Sequence, residues 1–322
     1  MKVRIAPDAC AEQTDWRFLD NIISKVADGW HIWQIEDPEA IEKTGWIDGR
    51  VWLRELFQKA ALASAYSSYS NFPKREILVS NQAISGALPP RQAAEYATTP
   101  LIILMENRFT DGIFINIVLD FLAPNEINEQ RRNAPNSIYY DSPGGIGELP
   151  KLVEDYVDRA KKSQIPVRFI VFTDSDGTIP SEIQDNAKRV RQLCEQENVP
   201  YWILNKRTIE NYIPDEVLEA WIPSNPNYEK RRLVDAVKRL NSAQRDHYPM
   251  KKGLKLSQTS SAVQAFYHGI SDADITELSK GFGKDVIEKL GEFRDMLTPE
   301  ALRQRDGQNE LDHLIELIAA EL

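Results

Sequence analysis

Cysteine and histidine are scarce in this sequence, and their spacing does not suggest a metal site. Among 322 residues there are two cysteines, Cys10 and Cys194, and four histidines. The cysteines match no zinc-site spacing, so we expect reduced thiols and a cytoplasmic protein. The histidines form no His-x-x-x-His pair, which disfavours a zinc hydrolase.

Long apolar segments and two common catalytic signatures are also missing. The longest apolar run, 113–122, is interrupted by Asn116 and Asp120 and is too short to cross a bilayer. Residues 1–10 hold no apolar signal core, so we expect no membrane partner. The glycine-rich stretch 143–147 lacks the Gly-Lys-Ser/Thr ending of a P-loop, and no Gly-x-Ser-x-Gly elbow occurs. We predict only a tight turn there, close to the acidic residues described below.

Acidic residues outnumber basic ones, 49 to 39, which gives a net charge of −10. This balance argues against a protein that coats nucleic acid with its whole surface. It leaves open a local basic groove or a metal site built from carboxylates. The hydrophobic fraction of 42% is enough for a sizeable core, so global disorder is not expected.

The chain divides into three stretches by its hydrophobic patterns. Residues 1–98 predict a helical region, with helices over 15–28 and 51–69. Its five tryptophans predict a packing layer, with a base-stacking surface as the alternative. Residues 99–215 alternate buried strands with helices, which predicts an α/β fold with a parallel sheet. Residues 216–322 predict a second helical region.

Three carboxylates follow predicted strands of the α/β stretch. Glu106 ends the strand 101–106, and Asp174 and Asp176 follow the strand 167–172. Functional groups of open α/β sheets gather at such carboxyl ends, and in an extended segment Asp174 and Asp176 face the same way. Clustered carboxylates suit Mg²⁺ or Mn²⁺, and Asp111 could add a ligand. The alternative is structural, because Asp-x-Asp-Gly is also a common turn sequence.

This pattern resembles the Toprim domain, the metal-binding module of topoisomerases, primases and OLD-type (overcoming lysogenisation defect) nucleases. Glu106, Asp174 and Asp176 match its Glu and Asp-x-Asp positions. The family's Glu-Gly-x-x-Asp segment is here Glu106-Asn107-Arg108-Phe109-Thr110-Asp111, with Asn for Gly and one extra residue. The segment 204–214, LNKRTIENYIP, resembles one found in OLD-like members, as do 247–254 and 280–283 more weakly. A structural turn is the alternative for Glu210 and Tyr212.

The resemblance implies a divalent-metal-dependent nuclease with a Toprim-like sheet. Two Mg²⁺ or Mn²⁺ ions about 4 Å apart would clamp a phosphodiester, with Glu182 as a further ligand. Lys206 or Arg207 would offset charge on the phosphate. We expect DNA rather than RNA as substrate, and an antiviral defence role with a separate ATPase acting in trans. A non-cleaving binding subunit and an RNA- or primer-processing enzyme are the alternatives. The protein could also form a homo-oligomer.

One short stretch runs against the acidic average. Residues 229–256 hold nine basic and three acidic residues, a net charge of +6. Because this stretch follows the α/β region, it predicts a phosphate-binding track, with a solvated helix face as the alternative. The residues that we assign to nucleic-acid binding are Arg207, Lys230, Arg231, Arg232, Lys251 and Lys252.

Overall fold

Short apolar runs form two parallel four-stranded sheets in the computed structural model, which describes residues 1–11, 15–66, 73–145, 147–222 and 228–322. The strands of the first sheet are Lys2–Ile5 (β1), Ile32–Gln34 (β2), Glu76–Val79 (β3) and Ala87–Leu88 (β4). Those of the second are Leu101–Leu104 (β5), Ile138–Asp141 (β6), Phe169–Thr173 (β7) and Tyr201–Ile203 (β8). Their spatial orders are β2-β1-β3-β4 and β6-β5-β7-β8, so the two sheets share one topology.

The prediction of a helical region over 1–98 was incomplete, because helices lie at both predicted positions but this stretch also forms the first sheet. Its strands are only two to four residues long. β1 pairs in parallel with β2 and β3, which are remote in sequence, and β4 pairs with β3 through only two residues, so no local periodicity reveals this sheet. The helices of this region are Trp16–Ala27 (α1), Pro38–Glu42 (α2), Val51–Tyr66 (α3) and Pro90–Thr98 (α4). Residues 67–69 of the predicted second helix lie outside the described residues.

The first sheet and its helices enclose a hydrophobic core of their own. Trp33 and Trp46 are buried in it with their ring centroids 5.6 Å apart, and Phe57 packs on Trp33. The packing interpretation of the tryptophans is therefore confirmed for these two residues. Trp52, by contrast, is half exposed on α3.

The second sheet confirms the α/β prediction for residues 99–215. Its helices are Thr110–Leu122 (α5), Asn125–Asn133 (α6), Leu149–Ser163 (α7) and Asp185–Glu197 (α8). Successive strand residues face opposite sides of the sheet. Ile103 and Phe172 lie in the core that includes α5, whereas Leu104 and Val171 lie in the core that includes α7 and α8. Ile146 of the predicted glycine turn lies outside the described residues.

The C-terminal stretch is helical, as predicted, and its described part contains no strand. The helices are Asp215–Ala220 (α9), Tyr228–Arg239 (α10), Ser242–Asp246 (α11), Ser261–Phe266 (α12), Asp272–Leu278 (α13), Val286–Glu292 (α14), Pro299–Asp306 (α15) and Glu310–Glu321 (α16). They share one core with α5 and one face of the second sheet. No helix in the described parts of the chain is long and apolar enough to span a membrane.

The strand order determines where a ligand can enter the second sheet. β5 lies between β6 and β7 in the sheet. The connection from β5 to β6 and the connection from β7 to β8 therefore run in opposite directions. The loops after β5 and β7 therefore diverge and open a crevice at their carboxyl ends. This crevice is where Glu106 and Asp174 emerge.

We expect His31 to destabilise the protein as the pH falls below about 6.5. Its buried ring donates from Nε2 to the Ala97 carbonyl at 2.7 Å, and its Nδ1 has no partner among the described residues. Burial, then the charges of the Met1 amino group and Arg168, hold the His31 pKa well below its ordinary value. The unfolded chain therefore takes up the proton first, and stability falls with decreasing pH by up to about 1.4 kcal/mol per pH unit.

Urea unfolding of His31→Gln across this pH range tests the expectation, with the exposed His313→Gln as the control. His31→Gln should lose less stability than the wild type as the pH falls. His313→Gln should lose as much as the wild type. Some loss should remain in both, because burial also lowers the pKa of His247. Equal slopes in the two variants would contradict the assignment.

Candidate functional site

Three carboxylates lie close enough at the crevice between β5 and β7 for their charges to interact. Asp174 follows β7 directly, and its Oδ1 accepts from the backbone N–H of Ile209 at 3.1 Å. Asp111 lies in the first turn of α5 and is buried. Glu210 lies in the 3₁₀ turn Ile209–Tyr212 and has no exposed surface. We call Asp111, Asp174 and Glu210 the carboxylate cluster.

Two members of the carboxylate cluster, Asp111 and Asp174, have raised pKa values. Burial raises the pKa of Asp174 well above its usual range, and the charges of Glu210, Asp111 and Asp176 raise it further. Burial likewise raises the pKa of Asp111 to about 6, although hydrogen bonds from the Asn107 N–H and the Thr110 hydroxyl oppose this. Such shifts mark groups that gain from a nearby cation.

Lys251 supplies that cation in the present structure. Its ammonium lies 2.9 Å from Glu210 Oε1. Burial alone would lower the Lys251 pKa, but the charges of Glu210, Asp174 and Asp111 outweigh it and raise that pKa. Apart from this ion pair, neither Glu210 oxygen has a hydrogen-bond partner among the described residues. A buried carboxylate with so few partners has spare capacity for a further cation.

A tight backbone crossing holds Lys251 in place. The Lys251 carbonyl accepts from the Gly283 N–H at 3.1 Å, and the Met250 carbonyl accepts from the Phe282 N–H at 2.7 Å. A side chain at Gly253 would come within 2.3 Å of the Ser279 carbonyl oxygen, so only glycine fits there. The segments 247–254 and 280–283 therefore serve to position this lysine.

Two of the predicted metal ligands lie beside the carboxylate cluster. Leu104 pairs with Val171, so Glu106 emerges at the same edge as Asp174 and is half-buried there. Asp176 raises the pKa of Asp174, which places its charge nearby. The segment is not extended as expected, because Asp176 has a φ of +50° and its N–H donates to the Arg207 carbonyl.

Glu182, Lys206 and Arg207 are not part of the carboxylate cluster. Glu182 accepts from the N–H and hydroxyl of Thr178, which lowers its pKa. Lys206 is buried and its ammonium lies 2.6 Å from Asp246 Oδ1, so the predicted catalytic lysine is already paired elsewhere. Arg207 is half-buried, and its backbone joins Asp176 to Asp246.

Glu182 and Lys206 instead line a polar cavity of about 460 Å³ beyond the loop that carries Asp174. Besides Lys206, the buried ionisable residues that line this cavity are Asp246, His247, Asp306 and Glu310. The Glu310 carboxylate accepts from the Tyr212 hydroxyl and from the Asn205 N–H. Tyr212 of the OLD-like segment therefore anchors the last helix, which supports the structural alternative for this residue.

The basic stretch 229–256 is partly neutralised by the protein itself. Lys238, Arg239 and Arg245 pair with acidic residues of other helices. The ammonium of Lys230 lies 4.5 Å from the Trp221 ring centre. The exposed members of the predicted track are Arg231, Arg232 and Lys252.

The donor set fits a hard divalent cation, although the side chains are not gathered around one. Carboxylate oxygens are the ligands that Mg²⁺ and Mn²⁺ prefer, and the Glu210 oxygens have only Lys251 as a partner among the described residues. Within the described ranges, however, no three His, Cys, Asp or Glu side chains are arranged to hold a metal ion as they stand. The sequence identified Asp111 and Asp174, but it missed Glu210 as a member of the site and gave Lys251 only a nucleic-acid role.

Comparisons with known proteins give no further assignment. No protein-family model, no curated protein and no solved structure matches the chain.

We expect Lys251→Met to lower the free energy of unfolding in EDTA by about 2–3 kcal/mol. This lies below the usual loss for a fully buried pair, because the Lys251 side chain is 38% exposed. Added Mg²⁺ should restore more stability to this variant than to the wild type, since the carboxylates then lack any other cation.

Urea denaturation with and without Mg²⁺ measures both effects. Lys252→Met is the matched control, because it removes the same charge from an exposed neighbour. If the two variants were equally stable, Lys251 would not be the counter-ion of the carboxylate cluster.

Proposed function

We propose that this protein is a divalent-metal-dependent phosphodiesterase, a Toprim-type nuclease that cuts DNA or RNA at the crevice between β5 and β7. The observation that carries the proposal is the carboxylate cluster, in which the buried Glu210 oxygens have no partner among the described residues apart from the Lys251 ion pair. The resemblance of Glu106, Asp174 and Asp176 to the Toprim pattern supports the same function.

The carboxylates of the crevice would hold the metal. Asp111, Asp174 and Glu210 would contribute from inside, and Glu106 and Asp176 from the rim. Bound Mg²⁺ or Mn²⁺ would supply positive charge for the phosphate and lower the pKa of a water molecule. Without metal these side chains would be poorly suited to the reaction, because unneutralised carboxylates repel a phosphate backbone.

Lys251 is better placed than Lys206 to contact the phosphate. Lys206 is almost fully buried against Asp246, whereas the Lys251 side chain is 38% exposed and lies at the carboxylates. With the carboxylates neutralised by metal, its ammonium would be free to pair with phosphate oxygens as charge develops on them. Exposed Arg231, Arg232 and Lys252 would contact the backbone further away.

One observation favours the alternative of a non-cleaving binding subunit. Lys251 already provides a positive charge to the carboxylate cluster, as a structural ion pair would. A separate ATPase in trans, a homo-oligomeric state, a defence role and a cytoplasmic location remain parts of the proposal that rest on the resemblance and the composition.

We expect Asp174→Asn to lose most of the metal-dependent cleavage activity. The wild type is incubated with supercoiled DNA and with structured RNA, in Mg²⁺, Mn²⁺ or EDTA. We expect cleavage only with metal, and a rate reduced by about 100-fold or more in Asp174→Asn, since a charge that acts on the transition state is lost. The control is Asp155→Asn, an exposed acid on α7, which should cleave like the wild type.

Binding of the same polymers, measured by anisotropy, separates the two candidate functions. Binding without cleavage, even after candidate ATPases are added, would support the non-cleaving subunit. Neither binding nor cleavage would contradict both. Cleavage that survives in Asp174→Asn would contradict the proposed site.

A further inference from the structure

A large aromatic side chain stands in solvent at the entrance of the crevice. Phe109 is 70% exposed, although phenylalanine is among the residues most often buried. It lies between Glu106 and Asp111 in the loop that joins β5 to α5. Its ring therefore projects from the segment that also carries two of the proposed metal ligands.

The loop holds Phe109 in a fixed position relative to the site. The Phe109 N–H donates to Asn107 Oδ1 at 3.0 Å, and the Asn107 N–H donates to Asp111 Oδ2 at 3.0 Å. The Asp111 N–H donates to the Asn107 carbonyl at 2.9 Å. Asn107 therefore links the backbone at Phe109 to the carboxylate of Asp111.

A basic side chain accompanies the exposed ring. The guanidinium carbon of Arg108 lies 5.1 Å from the Phe109 ring centre. An exposed aromatic ring can stack with a nucleobase through one face, and an adjacent arginine can pair with a phosphate of the same strand. Other exposed apolar side chains, such as Val51 and Leu62, lie on α3 and not in a loop that carries proposed metal ligands.

We propose that Phe109 is a stacking platform for an unpaired nucleobase, with Arg108 contacting an adjacent phosphate. This inference rests on the proposed function and narrows its substrate class. Bases inside a duplex are covered on both faces by their neighbours, so an unpaired base can cover the ring where an interior base pair cannot. The substrate is then single-stranded nucleic acid, or a duplex with an unpaired end or gap.

Fluorescence anisotropy with a labelled oligonucleotide tests the platform without relying on cleavage. The probes are a single-stranded oligonucleotide and the blunt duplex of the same sequence, both titrated in EDTA and in Ca²⁺. We expect the wild type to prefer the single strand. Phe109→Ala should weaken single-strand binding by about 5- to 100-fold, the range for loss of one stacked base. Duplex binding should change little.

Two further variants separate stacking from a general surface effect. Phe109→Trp keeps a flat ring and should bind like the wild type. Tyr66→Ala removes a side chain of similar exposure, 76%, from α3, and should leave binding unchanged. All variants should share the denaturation midpoint of the wild type.

The outcomes distinguish this inference from the proposed function. If the wild type binds or cuts nucleic acid and Phe109→Ala behaves identically, the platform is refuted while the nuclease stands. Preference for the blunt duplex, or failure of Phe109→Trp to retain binding, would also refute it. If the wild type neither binds nor cuts either probe, the proposed function fails together with the inference.

Discussion

The ion pair between Lys251 and Glu210 offsets the charge of the carboxylates buried at the crevice of the second sheet. Burial of carboxylates costs several kcal/mol for each charge unless a cation accompanies them. The raised pKa values of Asp111 and Asp174 show that the balance is incomplete even with this lysine present. The lysine comes from the C-terminal stretch, far along the chain from the sheet. The carboxylate cluster therefore depends on the same packing that joins the C-terminal helices to one face of the sheet.

The two sheets have the same strand order, but their carboxyl ends differ in chemistry. In the first sheet Asp8 follows β1, and its Oδ2 accepts from the Ser80 hydroxyl at 2.8 Å and from the Asn81 N–H at 2.7 Å. Those contacts close the loop after β1 onto the loop after β3. In the second sheet the Ile209 N–H donates to Asp174 after β7, and the buried Glu210 after β8 has only the Lys251 ion pair among the described residues. The same topology thus carries different side-chain contacts at its two carboxyl edges.

Sequence patterns were sufficient where the structure is local. Residues 99–215 contain β5 and β7, buried strands of four and five residues, so both the sheet and the strand-end position of Asp174 could be predicted. The strands of the first sheet could not, because β4 has only two residues and β2 three. Lys206 and Lys251 look equivalent in sequence. Only tertiary packing buries the first against Asp246 and brings the second to Glu210.

The distribution of charge limits how a polyanion can be bound. The stretch 229–256 carries a net charge of +6, but Lys238, Arg239 and Arg245 are engaged by acids of neighbouring helices. The remaining exposed cations are too few to overcome a net charge of −10 at long range. Each phosphate contact adds to the salt dependence of binding, so few contacts mean a shallow dependence. Affinity then has to come from short-range contacts at the crevice, where a metal ion, Lys251 and the ring of Phe109 would act together.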